Sequence, residues 1–332
     1  MRIGYLDHLR ILAMLMIICM HSPMPGIDTD GLVLSSISFL TAPGIGLFFM
    51  VSGALLLPTQ QGLKDFMRHR MGKVAGPTVF WSLFFLTMIW TKQGVSPTEA
   101  VRSIASIPIC AQGNGIMWFM YTLIGLYLLA PIISPWLLKA SQKELAFVLA
   151  LWGITMCYPL LEGVLCINDT KTGLLYYESG FAGYFILGYY LRKYHQNVRL
   201  YLIAFLLVIP LLIAIYVKTS HIPVDFYRSF WYLSILTAMM AMGWFLLFQQ
   251  SFKESSSKMI ALVSNCCFGI YFVHIIIMRQ ILWKWSVIAQ YGGIAQILLT
   301  VILTAVLSFV IVYAISFLPF AKYVIGFRQG KT

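Results

Sequence analysis

Charged side chains are scarce in this sequence. Lysine, arginine, aspartate and glutamate make up 10% of its 332 residues, whereas soluble globular domains carry about 25%. Hydrophobic residues account for 60% of the chain, and the mean hydropathy is +0.84. This composition excludes an ordinary soluble domain. It predicts an all-α protein, a polytopic transmembrane helical bundle whose backbone polar groups are satisfied within helices.

Cysteine is present, but it lacks the spacing of a metal or redox site. None of the six cysteines forms a C-x-x-C pair, and small apolar fillers of helices are the ordinary role of such residues. We therefore expect no metal and no permanently bound cofactor. Cys110 and Cys166 both fall in predicted external loops, and whether they form a disulfide is left open.

Long polar segments are also missing, so residues 1–332 are predicted to form a single membrane-embedded domain without an internal repeat. Apolar runs near 20 residues in length predict about ten membrane spans. Their expected ranges are 9–26, 39–57, 74–91, 116–137, 145–165, 180–191, 200–217, 229–249, 260–283 and 294–318.

The net charge of +12 has a topological origin. If the N-terminus is inside, sixteen of the 23 basic residues and four of the 11 acidic residues fall on the cytoplasmic side, with seven of each outside. This distribution follows the positive-inside rule and predicts that both termini are cytoplasmic. Because the charge is spread over many internal segments, we expect membrane lipids and no nucleic acid as partners.

The first span carries three ionisable residues. Asp7 and Arg10 precede an apolar run that ends at His21. In a helix, eleven steps of 100° put Arg10 and His21 about 20° apart on one face and about 16 Å apart along the axis. Asp7 lies one turn before Arg10, and we expect the two to form an ion pair. Since ionisable groups inside a span are costly and usually functional, Asp7, Arg10 and His21 are predicted to form a catalytic centre.

Small residues mark the second span. Gly46 and Gly53 are seven positions apart and share a helical face, which allows a neighbouring backbone to approach closely. We expect that neighbour to be the first helix, with the Ser52 hydroxyl facing a cavity as a substrate-binding group. Helix packing alone is the alternative role of this face.

The stretch from Lys64 to Lys73 is the most basic in the chain. Arg68, Arg70 and Lys73 lie there at a predicted cytoplasmic surface. Arg70 and Lys73 are one helical turn apart and could grip one phosphate, arginine through its planar fork and lysine as a point charge. The stretch predicts a site for a phosphorylated ligand, and contact with anionic lipid is the alternative.

Three further residues are candidates for substrate contacts. Trp118 and Tyr121 open the fourth span at its external end, where aromatic rings either anchor a helix at the interface or serve as platforms for sugars. His274 lies deep within the ninth span, where a purely structural role is the alternative. Arg279 follows as a second intramembrane cation, and its alternative is a side chain that snorkels to the surface.

An arginine, ten residues and a histidine in the first span resemble the signature of the acyltransferase-3 family of integral membrane O-acyltransferases. Further blocks resemble that family in the same order along essentially the whole chain. They are Phe48–Gly53, Arg70 with Lys73, Pro77 and Phe80–Ser82, Trp118–Phe119 with Gly125–Tyr127 and Pro131, and Phe268–His274. The sequence departs from the family pattern at Ile11, where glycine is common, at Ile116–Met117, where histidine is common, and at Lys73, where a second arginine is usual.

The resemblance implies transfer of an acyl group, with acetyl as the simplest, from cytoplasmic acyl-CoA to a sugar hydroxyl of a surface polysaccharide or a lipid-linked glycan precursor. It implies that Arg10, Arg68, Arg70 and Lys73 hold the phosphates of acetyl-CoA. His21 would act as a general base or as a transient nucleophile. The implied location is the bacterial cytoplasmic (inner) membrane. The acceptor, the acyl group, the choice between acyl-enzyme and direct transfer, and the oligomeric state are left open.

A polytopic transporter or flippase of a glycan-related solute is the alternative function. Intramembrane arginine and histidine also line substrate paths in such proteins. The sequence shows no paired intramembrane carboxylates and no inverted repeat, which disfavours coupled transport.

Overall fold

The computed structural model describes residues 2–25, 31–111, 115–163, 174–175, 180–195, 197–220, 229–252 and 255–329, and within them it contains helices and no strand. The α-helices are α1 (Gly4–His21), α2 (Leu32–Thr41), α3 (Pro43–Leu56), α4 (Leu63–Phe66), α5 (Gly72–Gln93), α6 (Pro97–Ser106), α7 (Trp118–Lys139), α8 (Gln142–Thr155), α9 (Tyr158–Gly163), α10 (Ala182–Tyr194), α11 (Leu200–Thr219), α12 (Ile235–Ser251), α13 (Lys258–Ile276), α14 (Ser286–Ala289), α15 (Gly293–Ile315) and α16 (Ala321–Ile325). Met67–Met71 and Ile277–Ile281 are π-helical turns, and Gly115–Met117 and Leu282–Lys284 are 3₁₀ turns.

The described helices confirm an all-α polytopic membrane bundle. Eight segments are long and apolar enough to cross a bilayer: Gly4–His21, Val33–Leu56, Leu63–Gln93, Gly115–Lys139, Gln142–Glu162, Leu200–Thr219, Lys258–Lys284 and Gly293–Ile315. Two of the ten predicted spans correspond to shorter helices. These are α10, with 13 residues, and α12, with 17.

The first and third predicted spans begin later than the observed helical segments, because charged residues are helical here. The first helix begins at Gly4 and ends at His21, so Asp7 lies inside it. The third span begins at Leu63, which places the whole basic stretch on a continuous helical segment. The predicted spans left Asp7 and the basic stretch outside their bounds, whereas the structure includes both in helical segments.

The glycine face of α3 packs against α10. A Cβ at Gly53 would overlap the carbonyl oxygen of Phe185, and a Cβ at Gly188 would overlap that of Met50. A Cβ at Gly46 would lie 2.6 Å from the Tyr184 ring. The prediction that this face meets the first helix is therefore wrong. Gly44, on a different face of α3, makes that contact instead, since a Cβ there would lie 2.8 Å from Cβ of Met16.

We expect Gly53→Ala to destabilise the bundle, because the new methyl group meets a backbone carbonyl that cannot rotate away. Overpacking of this kind costs about 1–3 kcal/mol, and occasionally more. The measurement is the thermal unfolding midpoint of the purified protein in detergent. Gly125→Ala in α7 is the matched control, since nothing lies within 4 Å of an added Cβ there. An unchanged midpoint in Gly53→Ala would show that α3 and α10 are not in backbone contact.

Both terminal segments lie at one end of the bundle. The Arg2 guanidinium donates to the Ala261 carbonyl at 2.6 Å, at the start of α13. Near the other terminus, the Trp81 indole donates to the Val324 carbonyl at 2.8 Å. A Cβ at Gly326 would lie 3.2 Å from the carbonyl oxygen of Lys73. Asn265, which also accepts from Arg2, lines the same cavity as Lys73 and Gly326, so the described parts of both terminal segments lie near Lys73, the last residue of the basic stretch.

Candidate active site

Two cavities lie along α1, one towards each end. The first, which we call the Arg10 cavity, has a volume of about 260 Å³. The second, the His21 cavity, has a volume of about 230 Å³. The helical rise separates Arg10 from His21 by about 16 Å. The first helix thus presents one ionisable side chain to each of two separate spaces.

The Arg10 cavity is a basic space built from distant parts of the chain. Arg10, Ser52 and Lys73 line it, together with Asn265 of α13. Tyr127 of α7 also lines it, where it lies close to the charge of Arg10. No carboxylate from the described residues lines this cavity. It is therefore suited to an anionic ligand.

The predicted phosphate-binding cations are divided by the fold. Arg68 and Arg70 lie on the π-helical turn Met67–Met71, and Lys73 follows in the first turn of α5. Lys73 lines the Arg10 cavity, and Arg70 is half-buried and close enough to act on Tyr127. Arg68 is exposed and lines none of the described cavities. π-Turns of this kind frequently occur at functional sites.

The predicted ion pair between Asp7 and Arg10 is wrong. Asp7 is buried, and its Oδ2 pairs with Nε of Arg2 at 2.6 Å. The hydroxyl of Ser264 donates to Oδ1 at 2.7 Å, and that of Ser256 donates to Oδ2 at 2.8 Å. These bonds attach the start of α1 to the start of α13. Asp7 thus pairs with Arg2, and Arg10 lines the cavity instead.

The His21 cavity combines an imidazole with aromatic and cationic side chains. His21 lines it together with Trp118, Tyr232 and Arg279. The Trp118 and Tyr232 rings are stacked, with centroids 5.7 Å apart and an interplanar angle of 29°. The structure thus brings two predicted site residues, His21 and Trp118, into one space. No carboxylate from the described residues lines this cavity.

His274 lies directly behind His21. The two imidazole centroids are 5.7 Å apart. His274 is fully buried and lines neither cavity. Its Nδ1 lies 3.2 Å from the Ile270 carbonyl oxygen, and its Nε2 has no hydrogen-bond partner among the described residues. This geometry supports contact between His274 and His21 more directly than contact between His274 and a substrate.

Two aromatic rings form the boundary between the cavities. Phe119 and Tyr271 line both of them, and their ring centroids are 5.1 Å apart. The hydroxyl of Tyr271 donates to the carbonyl of Ile116, on the 3₁₀ turn that precedes α7. A ligand that extends from Arg10 to His21 must therefore pass these two rings.

Sequence reasoning named some residues that lie elsewhere and missed others. Tyr121 lines neither cavity, and its hydroxyl donates to the Ile107 carbonyl at 2.6 Å. Its role in substrate binding stays a prediction. The sequence did not indicate three tyrosines that line the cavities, because a tyrosine in an apolar run carries no spacing signal. They are Tyr127, Tyr232 and Tyr271. Arg279 had such a signal as an intramembrane cation, but nothing in the sequence connected it to His21.

The described residues contain no cluster of three histidine, cysteine, aspartate or glutamate side chains that could hold a metal. Cys110 lies at the end of the turn that follows α6. Cys166 lies outside the described residues, so its pairing with Cys110 stays open.

The chain was compared with protein-family models. A model described as an acyltransferase domain, the acyltransferase-3 type, matches residues 3–318, nearly the whole chain. The match includes both ends of α1 and every residue described above that lines the His21 cavity. No curated protein and no solved structure matches the chain.

Proposed function

Because the chain belongs to the acyltransferase-3 family and is an integral, multi-pass membrane acyltransferase, we propose that it moves an acyl group from acyl-CoA to a glycan hydroxyl at His21. The observation that carries this proposal is the pair of cavities at the two ends of α1. One is basic and lined by Arg10 and Lys73. The other contains His21 and aromatic side chains.

The donor is acyl-CoA, with acetyl-CoA as the simplest case, and its phosphates bind in the Arg10 cavity. Arg10 and Lys73 line that cavity, and Arg70 lies close to the same tyrosine as Arg10. Arginine binds phosphate oxygens through two parallel N–H groups, and lysine adds a point charge. Arg68, which is exposed, contacts the part of the nucleotide that stays outside.

The pantetheine arm then carries the thioester past Phe119 and Tyr271 towards His21. There the acceptor hydroxyl oxygen attacks the thioester carbonyl carbon, and the carbon–sulfur bond breaks. His21 takes the hydroxyl proton as a general base and returns it to the departing coenzyme A thiolate. In this scheme His21 is the catalytic residue. His274, 5.7 Å behind it, is a positioning residue that holds the imidazole in place.

The acceptor is a sugar of a surface polysaccharide or of a lipid-linked glycan precursor. It enters the His21 cavity and stacks on the Trp118 ring, which is already packed on Tyr232. In the proposed orientation, both termini and the Arg10 cavity face the cytoplasm of a bacterial cell. The His21 cavity then opens to the external face of the cytoplasmic membrane.

The family match favours this function over a transporter or flippase. The matched model describes a domain that transfers acyl groups, and transport of a solute includes no such transfer. The test uses membranes from cells that express the protein, supplied with acetyl-CoA. We expect release of free coenzyme A thiol with transfer of the acetyl group to glycan material. Membranes that contain folded protein and their native glycan, yet release no thiol above the level of empty-vector membranes, would contradict the proposal.

A further inference from the structure

Arg279 links the His21 cavity to a neighbouring one. It lies on the π-helical turn Ile277–Ile281, directly after α13. Besides the His21 cavity, its side chain lines a second space of about 200 Å³ together with Lys92 and Gln280. Arg279 therefore lies between two adjoining cavities.

Two lysines contact Gln280, the residue that follows Arg279. The side-chain oxygen of Gln280 lies 3.5 Å from Nζ of Lys92 and 3.2 Å from Nζ of Lys284. One amide oxygen thus accepts from two ammonium groups, and Lys92 and Gln280 line the same cavity as Arg279. The guanidinium itself lies over the Trp283 ring, 5.8 Å from its centroid. We call Lys92, Arg279 and Lys284 the external cation cluster.

This cluster lacks a counter-charge within the described part of the chain. No carboxylate from the described residues lines either adjoining cavity. Among those residues, Arg279 forms no ion pair and no hydrogen bond. All three residues are exposed, so solvent screens their mutual repulsion and leaves a modest cost. An anion bound between them removes that cost.

We infer that the acceptor carries an oxyanion, a phosphate or a carboxylate, which binds at the external cation cluster while the hydroxyl to be acylated lies at His21. This inference rests on the proposed function, since it names the chemical class of the acceptor. Arg279 and His21 line the same cavity, so one sugar unit with an acidic substituent can reach both. The guanidinium fork matches the geometry of a phosphate or carboxylate.

The test measures binding of small probes to the full-length protein in detergent. The probes are glucose 1-phosphate and glucuronate, which carry an oxyanion, and glucose, which does not. Tryptophan fluorescence reports binding, because Trp118 lines the cavity and Trp283 lies under Arg279. A charge-assisted contact in a partly enclosed site predicts at least about a tenfold preference for the acidic probes.

Arg279→Gln should remove this preference. The matched control is Arg102→Gln, which removes an exposed cation of α6 that lines none of the described cavities. Equal binding of glucose and the acidic probes to the wild type would overturn the inference, and so would a preference that survives in Arg279→Gln. Thermal unfolding of each variant confirms that it is folded.

A lipid headgroup offers the same phosphate chemistry, so glycerol 1-phosphate is included as a probe. If it binds as tightly as glucose 1-phosphate, the cluster recognises lipid headgroups and the inference is wrong. Acetyl-CoA binding is measured in the same samples, because it depends on the other cavity. If neither the wild type nor the variants bound acetyl-CoA, while the wild type still preferred the acidic probes to glucose, the proposed function would be refuted and the anion site would stand.

Discussion

Replacing His21 with glutamine should abolish acyl transfer while the protein still folds and still binds acetyl-CoA. Removing a general base typically costs about 10²–10⁴-fold in rate. Glutamine keeps the approximate size and polarity of the side chain, so the cavity is not collapsed. Transfer is measured as acetyl label in glycan material, and donor binding is measured by equilibrium titration of the purified variant.

His8→Gln is the matched control for that variant. His8 lies on the same helix, stacks on Phe252 with centroids 4.1 Å apart, and lines neither cavity. We expect its transfer rate to remain within a few-fold of the wild type. If His21→Gln transferred as fast as His8→Gln, His21 would not be the catalytic base.

The second large effect is expected in donor binding. The double variant Arg10→Gln/Lys73→Gln should weaken acetyl-CoA binding by about a hundredfold or more. Each lost charge-assisted contact costs about 1.5–3 kcal/mol, which is about tenfold or more in affinity. The measurement is equilibrium binding of acetyl-CoA to the purified protein at fixed salt.

Two comparisons make this result specific. Pantetheine lacks the phosphates, so its binding should be similar in the wild type and the double variant. Arg68→Gln removes an exposed cation outside the cavity. We expect it to weaken acetyl-CoA binding less than Arg10→Gln alone or Lys73→Gln alone. Equal loss of pantetheine and acetyl-CoA binding would indicate a distorted cavity rather than a lost phosphate contact.

Much of the architecture could be predicted from the sequence, because long apolar runs leave few alternatives to membrane helices. The common face of Arg10 and His21 follows from helix geometry alone. Two helices at predicted spans, α10 and α12, are shorter than a typical membrane span. The thirteen residues of α10 are held by backbone contact with α3 at Gly53 and Gly188, which hydropathy does not report.

The partners of polar residues could not be predicted, because they come from distant parts of the chain. Asp7 has Arg10 one turn away, yet it pairs with Arg2, which precedes the helix, and its two other partners are Ser256 and Ser264, about 250 positions later. Helical spacing favours the local partner, and only the packing of α1 on α13 supplies the serines. For the same reason, the sequence did not predict that Arg279 and His21 line one cavity, because they lie on different helical segments far apart in the chain.

The most direct test of the account is the sidedness of the reaction in sealed vesicles. Acetyl-CoA is supplied outside everted and right-side-out vesicles that contain the protein and their native glycan. We predict that acetyl label enters glycan material in everted vesicles, where the Arg10 cavity faces the donor. In right-side-out vesicles it should enter only after detergent opens them. Equal labelling in sealed vesicles of both orientations would contradict the proposal that donor and acceptor approach His21 from opposite ends of α1.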